Sequence, residues 1–367
     1  MRRPRLQLAI LLALPMASLA AQASPDSIAA RLRDGFTPFL RGLADQDRFS
    51  GTVVVARNGV PVFSAAYGLA DKEHNVPNSV ETRFNLGSMN KMFTAISIAQ
   101  LVEAGRISLD STVGAYLTDY PNRDVAKNVT IRQLLTHTSG LGDFFIRGYP
   151  ENGVRVARAS DLFQYFVQDT LSFRPGARMA YSNAGFAVLG AIIERVSGTT
   201  YFDYVQQHIF ARAGMTASGF DPAGAATGYT RRVAGEGIFG PDTGLRHSNA
   251  GLIEARGGPA GGGYSTAHDI IAFSRALWAG KLVGTSLVDE FTTGKVTMGP
   301  VMKYAFGFGD MHLGNVRIVG HNGGAKGVNA EFDSYPELGY DVVVLANLDP
   351  PIASTVIGRI RQIISRQ

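Results

Sequence analysis

The chain has 367 residues, 45% hydrophobic and 18% charged, a balance that supports a sizeable core and excludes global disorder. The net charge is +5, and setting aside Arg2, Arg3 and Arg5 leaves 5 − 3 = +2; with no Lys/Arg-rich block elsewhere, nothing in the charge points to nucleic acid. There is no cysteine, which excludes disulfides, thiol catalysis, a thiolate metal site and a lipid-modified N-terminal cysteine.

Residues 1–23 read as a secretory signal. Arg2, Arg3 and Arg5 form its positive region, Leu6 to Leu14 its apolar run, and Ala21-Gln22-Ala23 a small-x-small cleavage site. The apolar run is short for a membrane span, and no later segment is long and apolar enough to make one. The expectation is therefore a periplasmic or secreted protein with one domain over residues 24–367. Pro25-Asp26 opens an amphipathic helix through Leu32, Phe36, Phe39 and Leu43. Gly51 to Arg57 reads as a strand, Asn58-Gly59 as a tight turn, and Val60 to Tyr67 as the returning strand. A loop from Asp71 to Thr82 leads to Phe84-Asn85-Leu86.

The stretch Gly87-Ser88-Met89-Asn90-Lys91-Met92-Phe93-Thr94 follows. Apolar residues recur at helical spacing through Met92, Phe93, Ile96, Leu101 and Val102, and Gly105 stops the pattern. Ser88 thus starts a buried helix, with Lys91 one turn on and on the same face. A serine hydroxyl needs a base to become a nucleophile, and a lysine amine serves only where burial or neighbouring charge lowers its pKa. A serine N-cap with a surface lysine is the plain alternative.

The middle of the chain reads as helix and loop. Thr130 caps a short helix that ends in Thr136-His137-Thr138-Ser139-Gly140-Leu141, where His137 reads as a turn histidine bonded to backbone. Arg174-Pro175-Gly176 is a turn, Tyr181-Ser182-Asn183 follows it, and a helix runs from Phe186 to Val196. The glycine-rich run 257–263 lacks the strand and lysine of a phosphate loop and reads as a plain loop near a site. Thr266-Ala267-His268-Asp269 fits a capping box for the next helix. Tyr304 to His312, Val316 to His321, Val328 to Tyr335 and Tyr340 to Asn347 read as an antiparallel meander, closed by a helix from Ile352 to Ile364. The fold class is α+β: an antiparallel sheet built from both ends of the chain, helices on its faces, and an inserted mainly helical lobe over about 106–265.

Two further polar patterns complement the Ser88 stretch. Tyr181-Ser182-Asn183 sits between a turn and a helix start, a rigid place for a phenol and an amide. His321-Asn322-Gly323-Gly324 ends a strand, with glycines that let a substrate lie close. Tyr120-Pro121-Asn122 and His312-Leu313-Gly314 share the outlines but fall in an exposed turn and a hairpin turn, and are set aside. The chemistry fits acyl transfer. Ser88 attacks a carbonyl; Lys91 or Tyr181 accepts its proton, and one of them protonates the leaving group. Asn183 orients Lys91 or binds the substrate amide, and Asn322 and Gly323 border the substrate. The N–H groups of Ser88 and Gly324 form an oxyanion hole. His321 holds a substrate carboxylate if protonated, or only hydrogen-bonds if neutral. No metal cluster is visible, so no cofactor is expected; the partner is a small-molecule or peptide substrate, with or without a carboxylate.

A serine–x–x–lysine motif, a second polar triplet and a lysine–threonine–glycine motif mark β-lactamases and penicillin-binding proteins. This chain resembles that superfamily, in the branch of class C β-lactamases, D-alanyl-D-alanine carboxypeptidases, D-amino-acid peptidases and related esterases. The resemblance rests on Ser88-Met89-Asn90-Lys91, Tyr181-Ser182-Asn183 and His321-Asn322-Gly323, supported by the segments at 134–141 and 262–266, and covers roughly Gly51 to Asn347. It implies a β-lactamase/transpeptidase-like fold, Ser88 as nucleophile, Lys91 and Tyr181 as the acid–base pair, Asn183 on the substrate, and an oxyanion hole from Ser88 and Gly324. His321 stands where class C β-lactamases have lysine, which favours a peptidase or esterase over a dedicated β-lactamase. A binder that is acylated by penicillin and does not turn over is the alternative.

Overall fold

Strand β1 (Gly51–Arg57) is buried on both faces. Side chains alternate across a strand, so Val54 and Ala56 enter one core while Val53 and Val55 enter a second. Each such valine contributes about 1.5–3 kcal/mol on burial, so a one-residue slip would cost both cores at once. The computed structural model describes residues 25–146, 156–233, 241–253 and 256–365. The expected leader lies outside the described residues.

Strand β2 (Val60–Tyr67) returns beside β1, and six more strands come from the last part of the chain: β3 (Val296–Thr297), β4 (Met302–Tyr304), β5 (Gly309–Leu313), β6 (Val316–Ala325), β7 (Val328–Tyr335) and β8 (Tyr340–Ala346). They form one antiparallel sheet in the order β2-β1-β8-β7-β6-β5-β4-β3. The two ends of the chain meet where Gly51 of β1 faces Ala346 of β8. The N-terminal helical stretch and the C-terminal helix Ile352–Ile364 cover one face through Leu32, Phe36, Leu40, Val356 and Ile360. The other face carries α1 (Lys91–Glu103), α2 (Asn183–Ser197) and α3 (Ala267–Trp278), and the site lies there.

Several expectations are corrected. The strand expected from Tyr304 to His312 is two strands, because Gly307 adopts φ +75° and the Ala305 N–H closes a turn on the Phe308 carbonyl at 2.7 Å. That turn drives Phe306 against Phe291 in the core, a stronger demand than the strand pattern. Strand β6 continues past His321 to Ala325, so the third motif lies within a strand rather than at its end. Helix α2 starts at Asn183 instead of Phe186, since the Ser182 hydroxyl accepts from the Gly185 N–H at 3.0 Å. Tyr120 is not exposed; it is buried edge-on against Phe163, and Asn122 caps the helix Arg123–Asn128. Among the described residues no helix is long and apolar enough to cross a membrane.

Candidate active site

Ser88 sits in a 3-10 turn, Gly87–Asn90, that runs straight into α1. Residues Lys91 to Leu101 are buried all round, so the helix is held by packing on every side rather than by one apolar stripe. Glycine is demanded where this turn meets strand β6. Gly87 has φ +50°, and a Cβ there would stand 2.8 Å from the Gly324 nitrogen. A Cβ at Gly323 would stand 1.9 Å from the Leu86 carbonyl oxygen and 3.0 Å from the Ser88 nitrogen. This close approach gathers the Ser88 and Gly324 N–H groups at one place. The glycine-rich run is a loop against the site, as expected: Leu86 N–H donates to Gly263 O at 2.7 Å and Gly262 N–H to Gly87 O at 3.1 Å.

Lys91 is fully buried. Its Nζ donates to Asn183 Oδ1 at 2.7 Å and to the Ala260 carbonyl, and lies 3.2 Å from Ser88 Oγ. It also stands over the Tyr181 ring at 4.8 Å and the Phe186 ring at 5.4 Å. A neutral amine has two N–H bonds and one lone pair. The Ala260 carbonyl and the Asn183 amide oxygen accept only, so as an ammonium Lys91 donates to both and to Ser88 Oγ, and once it is neutral those two acceptors hold its two N–H bonds and the lone pair faces the Ser88 hydroxyl.

Tyr181 is placed by His137. The turn at His137 has φ +58°, and its backbone carbonyl accepts from Ala180 N–H at 2.8 Å while its Nδ1 accepts from Ser182 N–H at 3.1 Å. The residues on both sides of Tyr181 are thereby tied to His137, Ala180 to its backbone carbonyl and Ser182 to its imidazole, and that ring lies 4.3 Å from the phenol ring. The reading of His137 as a backbone-bonded turn histidine matches this geometry. Burial pushes the Tyr181 phenol well up; the Ser88 hydroxyl, its hydrogen-bond partner, works against this, and the Asp143 charge adds to it. Burial, aided by the Lys91 charge, holds His137 far below its usual range, so it is neutral.

His321 is buried on β6. Its Nδ1 lies 2.5 Å from the Asn322 carbonyl and must donate to it, so Nε2 is the acceptor for the Tyr304 hydroxyl at 2.9 Å. Burial first, then the Lys91 charge, lowers its pKa to about 3, with the Asn322 carbonyl opposing. The protonated, carboxylate-holding form of His321 is therefore disfavoured and the neutral form favoured. Asn322 is exposed and Gly323 buried, next to it on the same strand.

The structure brings Ser88, Lys91, Tyr181, Asn183, His321 and Gly324 to one place. Sequence reasoning missed three contributors. The Ala260 carbonyl is backbone and leaves no residue signal. Tyr304 was absorbed into a strand, although it is the phenol that meets His321. Asp143 follows the 136–141 turn without any periodic pattern, yet its Oδ2 accepts from Asn183 Nδ2 at 2.9 Å. Among the described residues no group of three or more His, Cys, Asp or Glu gathers to hold a metal ion.

A family model described as Beta-lactamase matches residues 36–364. PbpX of Bacillus subtilis (strain 168), whose name puts it among penicillin-binding proteins, is 33% identical over 260 residues, 71% of this chain; the chain spans 62% of the length of that relative. Esterase EstB of Burkholderia gladioli is 31% identical over 320 residues, 77% of this chain and 79% of that protein. The crystal structure of a penicillin binding protein from Bacillus halodurans superposes with a TM-score of 0.78 at 32% identity, over 88% of this chain and 98% of the other. With the family model spanning nearly all of the described residues, the chain belongs to the Beta-lactamase family.

Proposed function

We propose that this is an exported hydrolase that cleaves an amide or ester through a Ser88 acyl-enzyme, formed in a single domain over residues 24–367 after removal of residues 1–23. The observation that carries the reading is Lys91 Nζ held by Asn183 Oδ1 and the Ala260 carbonyl at 3.2 Å from Ser88 Oγ. Lys91 takes the Ser88 proton during attack. Tyr181, hydrogen-bonded to Ser88 and kept protonated by burial, relays a proton to the leaving group. The N–H groups of Ser88 and Gly324 hold the oxyanion, each worth about 3–4 kcal/mol in such sites. The second N–H of the Asn183 amide is left for the substrate.

His321 buried beside Tyr304 supports a substrate recognised without charge. On this reading esters and neutral amides come ahead of β-lactams and D-Ala-D-Ala peptides, whose carboxylates would meet a neutral imidazole. The esterase relative supports the same order. A hydrolysis panel on the purified protein tests it: a short-chain nitrophenyl ester, a chromogenic cephalosporin and a peptide ending in D-Ala-D-Ala. The ester should give the highest kcat/KM. A higher value on the cephalosporin or the peptide would reverse the order, and no turnover of any, with a lasting penicillin adduct, would point to an acylated sensor.

A further inference from the structure

We propose that Asp143 is a positioning residue that sets which way round the Asn183 amide stands, and through it keeps the Lys91 lone pair aimed at Ser88. The inference rests on Lys91 acting as the base for Ser88. Asp143 Oδ1 accepts from the Phe145 N–H at 3.0 Å, and Oδ2 accepts from Asn183 Nδ2 at 2.9 Å. A carboxylate only accepts, so it admits only the NH2 end of the Asn183 amide. The oxygen end must then face Lys91, where it lies 2.7 Å from Nζ. The opposite orientation would aim N–H bonds at Lys91. It would compete with the Ser88 hydroxyl for the amine lone pair and repel an ammonium. Asn183 itself is buried at the start of α2, in reach of both partners, so its own packing does not choose between two nearly isosteric orientations.

The isosteric variant Asp143→Asn is the informative one. The Phe145 N–H requires an acceptor, so the new amide places its oxygen there and its NH2 toward Asn183. That inverts the preference and turns the Asn183 amide round. Were Asp143 merely structural, this least disruptive change would be nearly silent. The assay is kcat and KM for a neutral nitrophenyl ester on the full chain, with the melting transition read in parallel. Asp143→Asn should lower kcat on the order of 10- to 100-fold, part of the ~10²–10⁴ that a positioned base supplies, with KM within about twofold. In an Asn183→Ala background the same change should cost nothing further, because its effect runs through Asn183. If Asp143→Asn lowers the melting transition, Asp143→Ala carries the same double-mutant cycle. A kcat within twofold of wild type, or a loss that persists at full size without Asn183, overturns the proposal. Ser88→Ala in the same assay separates the two levels: turnover there would remove the active-site reading itself, whatever Asp143 does.

Discussion

The protonation of His321 has a direct kinetic consequence. Burial and the Lys91 charge take its pKa from 6.5 to about 3. At pH 6 that leaves the imidazole almost wholly neutral, whereas an unperturbed one would be about 75% protonated. An ordinary imidazole would lose about 90-fold in protonated fraction between pH 5.5 and 8.5. His321, already neutral at the lower limit, has no charge to lose over that window. The assay is the ratio of kcat/KM for a carboxylate-bearing substrate, penicillin or a D-Ala-D-Ala peptide, to kcat/KM for a neutral nitrophenyl ester. In the proposed mechanism both use Ser88, Lys91 and Tyr181, so much of the shared titration cancels in the ratio. It should stay level within about threefold from pH 5.5 to 8.5, and His321→Gln, which never charges, should leave it level too. A wild-type ratio that falls tens of fold around pH 6.5, and does not fall in His321→Gln, would show a charged imidazole gripping the carboxylate and refute the reasoning.

Lys91→Arg puts a permanent cation in the buried slot that has no neutral form to accept the Ser88 proton, so ester turnover should drop by about 10²–10⁴ with the fold retained; near-native activity would make Lys91 an electrostatic support and leave Tyr181 as the base. Tyr181→Phe should lose a similar factor, about 10²–10⁴, and a change of only a few fold would reduce Tyr181 to a packing ring. Gly323→Ala drives a methyl to 1.9 Å from the Leu86 carbonyl, forcing β6 off the Ser88 turn. It should cost about 1–3 kcal/mol of stability, read by thermal melting, and most of the ester activity; unchanged activity would mean that the close approach does not build the oxyanion site.

Much of the fold was legible because local signals and global packing agree. The valine run of β1, the Asn58-Gly59 turn and the helix Ile352–Ile364 each carry their own pattern, and each stands where the pattern puts it. The meander misled at Gly307, where the turn is chosen by room for Phe306 and Phe308 in the core rather than by any loss of apolar residues. The serine, lysine, phenol and amide of the site were legible as residue types whose chemistry interlocks. The protonation of His321 was not, because it depends on burial by Tyr304 and on Lys91, 230 residues earlier in the chain. Asp143 and the Ala260 carbonyl act through hydrogen bonds to groups 40 and 169 residues away, which no spacing rule can find.

Ser88 as the nucleophile is tested most directly by intact-mass spectrometry during turnover of a slow nitrophenyl ester. Wild-type protein should carry one transient acyl adduct that maps to the peptide containing Ser88 and decays as product accumulates. Ser88→Ala should show neither adduct nor turnover while melting within a few degrees of wild type, since losing a helix-start serine costs only about 0.5–2 kcal/mol. An adduct on another residue, or turnover by folded Ser88→Ala, would contradict the assignment.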